Sequence, residues 1–147
     1  MKAVEINQTG APEVINLKDI SLEKPNPDEV TIEQKAIGLN YIDTYHRSGL
    51  YPLKLPSGLG LEGAGIIIEV GSNVTNLKAG DKVAYAAIPL GSYSTHRNFP
   101  ASKIVKIPEG VDFEVAATLM TKGLTTYYLL YQTYKVKSGE YLSLIHI

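Results

Sequence analysis

The sequence predicts a mainly β domain with α-helix after it, a partly open β-barrel followed by one helix. Three observations carry that prediction. Short segments rich in β-branched residues recur about every ten residues up to residue 107, separated by turn signals. At Asp112 the apolar spacing changes from two to three or four residues. Hydrophobic residues make up 44% and charged residues 20% of 147 residues, enough apolar material for one globular core.

The elements follow in order. Residues 3–6 and 14–20 read as short strands around a turn at Thr9, Gly10, Ala11 and Pro12. Pro25, Asn26, Pro27 and Asp28 make a second turn, because proline fixes φ and Asn or Asp bond their own backbone. Residues 30–36 alternate apolar and polar, as in a half-buried strand. Residues 65–70 are β-branched and end at Gly71. Residues 82–85, 93–99 and 104–107 supply three further strands. Asp112 is placed to N-cap a helix over residues 112–134, whose apolar face carries Ala116, Leu119, Gly123, Tyr127 and Leu130. Gly123 costs that helix about 1 kcal/mol against alanine, which points to a close contact there. Residues 141–147 read as the first strand of a new unit. The boundary falls at Pro108, Glu109 and Gly110, giving domains at 1–110 and 111–147.

Several function classes are set aside by composition. A net charge of −1 leaves no electrostatic footprint for nucleic acid or an anionic membrane. No apolar run approaches the roughly 18 residues of a membrane helix. Glu5 and Asn7 interrupt what a secretory signal would need as its apolar core. There is no cysteine, so disulfides, thiolate metal sites and cysteine nucleophiles are excluded. The expected place is the cytoplasm. His46, His96 and His146 lack metal-ligand spacing and read as surface or loop histidines. No Gly-x-Ser-x-Gly elbow supports a serine triad.

Chemistry concentrates in three places. Asn40, Tyr41, Ile42, Asp43, Thr44, Tyr45 and Tyr51 fall within twelve positions. Asn40 suits a helix N-cap, with Asp43 at N3 beside the positive end of the helix dipole. Gly58, Gly60, Gly63 and Gly65 superficially match a dinucleotide fingerprint. They run into a strand rather than a helix, so tight bending and close packing fit them better. Glu62 orients or seals this loop, with a buried base as the alternative. Thr125 and Tyr128 follow Lys122, Gly123 and Leu124 on the late helix, where burying tyrosine rings is a sufficient structural reason for them.

The order and spacing of residues 36–45 and 59–65 resemble the GroES-like catalytic domain of the medium-chain dehydrogenase/reductase superfamily. Within its zinc-free branch, the resemblance is to the NADPH-dependent, zeta-crystallin-like quinone oxidoreductases. The zinc alcohol dehydrogenases carry metal ligands where this chain has Asn40 (a Cys there) and Leu61 (a His there). An amide and an isobutyl group cannot hold Zn²⁺, so no metal is expected. The resemblance implies hydride transfer from NADPH to a small quinone. Asn40, Tyr45 and Tyr51 would be its catalytic residues. Tyr41, Ile42, Asp43, Thr44, Tyr45, Thr125 and Tyr128 would line the cofactor. It also implies a homodimer in the longer enzyme. A zinc-free alkenal or enone reductase and a noncatalytic GroES-like binding module are the alternatives. The resemblance ends near residue 141, with no glycine-rich turn of a Rossmann domain after it. The expectation is an N-terminal piece that is inactive alone and whose residues 143–147 depart from the family.

Overall fold

The computed structural model describes residues 1–143. Period-two stretches pair into two antiparallel sheets. Strands β1 (Lys2–Ile6), β2 (Asn16–Asp19) and β4 (Ser57–Gly58) form the smaller sheet, in the order β2-β1-β4. Strands β3 (Glu29–Gly38), β5 (Glu62–Val70), β6 (Lys82–Ala86), β7 (His96–Pro100) and β8 (Val105–Lys106) form the larger, in the order β7-β3-β5-β6-β8. The sheets meet where Ala3 bridges Ser94, with the Val4 N–H donating to the Tyr93 carbonyl at 2.7 Å. They do not close further, which leaves the expected barrel partly open.

Two strands start later than their composition suggests. Pro12 opens a 3₁₀ turn over Pro12–Val14, so β2 begins only at Asn16. Tyr93, Ser94 and Thr95 are used to join the sheets before β7 begins at His96. Tyr141, Leu142 and Ser143 carry no strand, and the rest of that expected strand lies outside the described residues. No described helix is long and apolar enough to cross a membrane.

The main core lies beneath the larger sheet, where Val30, Ile32, Ile67, Val83, Tyr85 and Phe99 are fully buried. A second cluster forms on the outer side of β5 and β6. There helix α2 (Phe113–Tyr127) lays Ala116 and Ala117 against Ala64 and Ala84. Four small side chains let the helix axis come close to the sheet. Asp112 stands at the predicted N-cap position in extended backbone, but its side chain makes no capping hydrogen bond. Beyond Tyr127 the chain continues as a π-helical stretch, Tyr128–Thr133. Leu124, Tyr127, Tyr128, Leu129, Tyr131 and Tyr134 are all exposed.

Gly123 has no partner element against it. A Cβ there would meet only Leu119 of the same helix, at 2.8 Å from its terminal methyl. The contact expected from the sequence is therefore not a packing contact between elements. Leu119 is itself more than half exposed and free to turn away. Gly123→Ala is expected to raise stability by about 1 kcal/mol, the propensity difference alone. Chemical denaturation would show this as a higher midpoint at an unchanged slope.

A candidate cleft of buried polar residues and exposed tyrosines

Helix α1 (Tyr41–Ser48) starts where Asn40 adopts extended backbone, and Gly49 ends it in the left-handed region at φ 88°. The Asp43 Oδ2 accepts the Asn40 backbone N–H at 3.0 Å, the arrangement of a capping box. The same oxygen accepts the Tyr93 hydroxyl at 2.7 Å. Burial, then the bond to Asp43, pushes the Tyr93 phenol well above the usual tyrosine range, so it stays a neutral donor. Asp43 is 4% exposed and serves the helix start and Tyr93.

Asn40 is also buried, and its side chain makes longer-range bonds as well. Its Nδ2 donates to Glu62 Oε2 at 2.7 Å, and its Oδ1 accepts from Lys122 Nζ at 3.1 Å. Glu62 is wholly buried on β5. Its other oxygen accepts the Thr121 backbone N–H at 2.8 Å, which ties the sheet to α2. Lys122 also donates to the Leu39 carbonyl at 3.0 Å and lies 4.0 Å from Glu62 Oε2. A carboxylate can only accept and an ammonium can only donate. The Asn40 amide is thereby fixed in one orientation.

An aromatic row starts on helix α1, which Asn40 begins. The Tyr41 and Tyr45 rings meet edge to face with centroids 5.3 Å apart, and Tyr45 and Tyr51 tilt together at 5.3 Å. Tyr41 and Tyr51 are exposed, while Ile42, Thr44 and Tyr45 are half-buried. Tyr51 is held by its N–H on the Tyr45 carbonyl at 3.2 Å. His46 is a correction: it is buried beneath Tyr51, ring centroids 5.9 Å apart, because α1 turns that face inward. His146 lies outside the described residues. Thr125 and Tyr128 are exposed one and two turns beyond Lys122, which itself touches Asn40.

The glycines of residues 58–65 do what their context suggests. Gly60 sits at φ 92°, and a Cβ there would lie 2.4 Å from the Tyr93 ring. Gly65 would meet the Glu33 carbonyl at 2.1 Å. These residues lead from β4 into β5 with no helix after them, so they form no phosphate-binding turn.

Comparison with known proteins agrees with this architecture. The alcohol dehydrogenase GroES-like domain matches residues 26–109. The chain belongs to that family. A quinone oxidoreductase of Pseudomonas aeruginosa is 54% identical over 140 residues, covering 95% of this chain and 43% of the relative. The structure of Escherichia coli quinone oxidoreductase complexed with NADPH superposes with a TM-score of 0.89 at 48% identity, covering 93% of this chain and 42% of that one. A 2-haloacrylate reductase of Burkholderia is 41% identical, covering 98% of this chain and 45% of the relative. The chain thus spans less than half the length of the curated relatives it matches.

Asn40 bonds to Glu62, and Leu61 precedes Glu62 in the chain; an amide and an isobutyl group are not metal ligands. Among the described residues no group of three His, Cys, Asp or Glu side chains could hold a metal. Zinc measured by elemental analysis after chelator dialysis is expected to stay far below one per chain.

Sequence reading missed Lys122 and the partners of Glu62. One signal was available: an acid amid Leu61, Gly63 and Ala64, and a lone lysine in an apolar helix, each require a distant partner if buried.

Proposed function

We propose that the full-length protein carrying this chain is an NADPH:quinone oxidoreductase, passing hydride from NADPH to a small quinone in a zinc-free cleft. The observation that carries it is the row Tyr41, Tyr45 and Tyr51, which starts on the helix that Asn40 begins, with the Asn40 amide bonded to Glu62 and Lys122. The 54% identity to a quinone oxidoreductase supports it. The described residues suit one end of a cofactor. They offer flat aromatic faces and hydroxyls, and no turn for a pyrophosphate.

When bound, NADPH supplies the hydride. This chain's residues orient and enclose. Tyr45 and Tyr51 present rings and hydroxyls to the acceptor, and Asn40 holds the wall behind them. Tyr41, Ile42, Asp43 and Thr44 form the segment along the cofactor, with Thr125 and Tyr128 completing it from the late helix. Asp43 acts there through the helix start rather than through an exposed carboxylate. The division at residues 1–110 and 111–147, a cytoplasmic place, a homodimeric state and independence of nucleic acid belong to the same reading. Mass measurement of the full-length protein in solution tests the dimer.

The test is steady-state loss of NADPH with benzoquinone, beside melting curves. Asn40→Ala and Tyr51→Phe are expected to lower turnover more than stability. Normal turnover per folded molecule, with melting points far lower, would reduce both residues to structural roles. The likeness to 2-haloacrylate reductase favours one second reading, an enone or alkenal reductase sharing the cleft. Faster NADPH loss with an enone than with benzoquinone would decide for it.

A further inference from the structure

Asn40 is the polar residue the sequence places at the cleft, yet the residue is only 8% exposed and its amide is bonded at both ends inside the protein. The exposed charged group bonded to that amide is the Lys122 ammonium. Its side chain is 53% exposed. Two of its three N–H groups are aimed at the Leu39 carbonyl and Asn40 Oδ1, at 3.0 and 3.1 Å. Glu62 Oε2, at 4.0 Å, is too far to take the third. The lysine is thus anchored at its tip by residues preceding α1, and one donor is left for water or ligand. The anchors are neutral oxygens, so the positive charge is only partly offset, by a buried carboxylate that already accepts two other donors.

We propose that Lys122 is the oxyanion-binding residue of this cleft, taking the phenolate or enolate oxygen formed as an acceptor is reduced. The inference rests on the hydride-transfer reading above and is common to its quinone and enone forms. The hydride forms a C–H bond at the conjugated carbon, the C=C π pair shifts to the carbonyl carbon, and the C=O π bond breaks. The electron pair comes to rest on oxygen, the hydride donor is oxidised, and water supplies the proton that neutralises the oxyanion. A pre-anchored ammonium favours that charge without having to reorganise during the step. Asn40 and Leu39 are then positioning residues, acting through Lys122.

The experiment uses the full-length protein and two readouts. Lys122→Met is expected to lower turnover of benzoquinone about 100-fold, the scale of a lost oxyanion donor. KM for NADPH should stay unchanged, and Lys122→Arg should recover most of the rate. Independently of activity, 4-nitrophenolate is expected to shift the Lys122 Nζ resonance, whereas neutral 4-nitroanisole should not. Lys122→Met should bind the phenolate about 10-fold more weakly, as for loss of a charged hydrogen bond. Equal phenolate affinity in wild type and Lys122→Met, with normal turnover in the variant, overturns the assignment. A wild type that binds phenolate through Lys122 but reduces neither acceptor overturns the hydride-transfer reading, and with it the catalytic part of the assignment, while Lys122 stands as an anion-binding residue.

Discussion

Gly38→Ala is expected to unseat helix α2 from the sheet. A Cβ on Gly38 would lie 2.0 Å from the backbone carbonyl of Ala117 and 2.7 Å from Glu62 Oε2. Neither neighbour can give way cheaply. The Ala117 carbonyl belongs to the best-buried turn of α2, packed on Ala64 and Ala84. Glu62 is held at both oxygens. The strand or the helix must move, and the Thr121–Glu62 bond moves with it. Overpacking of this kind costs about 3 kcal/mol, the upper part of its usual range. In a domain of this size that lowers the melting point by roughly 10 °C. Gly80→Ala is the control. It has open space within 4 Å but a φ of 91°, so it carries only the left-handed backbone cost of about 1–2 kcal/mol. Equal melting of the Gly38 variant and wild type would mean that α2 does not sit this close.

The contrast among these glycines shows where sequence reading works and where it stops. Gly65 and Gly60 sit among residues whose local order announces a bend and a strand, and the bend is there. Val30 and Ile32 alternate with polar neighbours, and both face the core. Asp112 announces the helix it precedes. Each of these signals is local, because periodicity and capping act over a few residues. Gly38 and Gly123 look alike in the sequence, yet one lies under a foreign carbonyl and the other under nothing but its own helix. The site divides the same way. Asn40 as a helix start is visible from Asp43 three positions later. Its bonds to Glu62 and Lys122 span 22 and 82 positions, and Tyr93 reaches Asp43 across 50. No periodicity reports such distances. The inward face of His46 follows from how α1 docks, which its own turn does not specify.

Glu62→Gln tests that long-range bracket with almost no change of shape. The native carboxylate accepts from Thr121 N–H at one oxygen and from Asn40 Nδ2 at the other. Glutamine offers one acceptor and one donor. With its oxygen on Asn40, its NH₂ faces the Thr121 N–H, a backbone donor that cannot turn. With its oxygen on Thr121, its NH₂ faces Asn40 Nδ2. Flipping the Asn40 amide cures that contact but turns Nδ2 onto the Lys122 ammonium. Every arrangement leaves donors opposed, in the first two in a buried place, at a cost of about 1–3 kcal/mol. Lys122→Met removes the last conflict. Asn40 is then free to flip, and its displaced Nδ2 points to where the half-exposed lysine was, within reach of water. The double variant is therefore expected to be more stable than the two single changes sum to, with a coupling of about 1–2 kcal/mol. Denaturant midpoints of the four proteins measure it. Strict additivity would show that Lys122 does not hold the Asn40 amide in place.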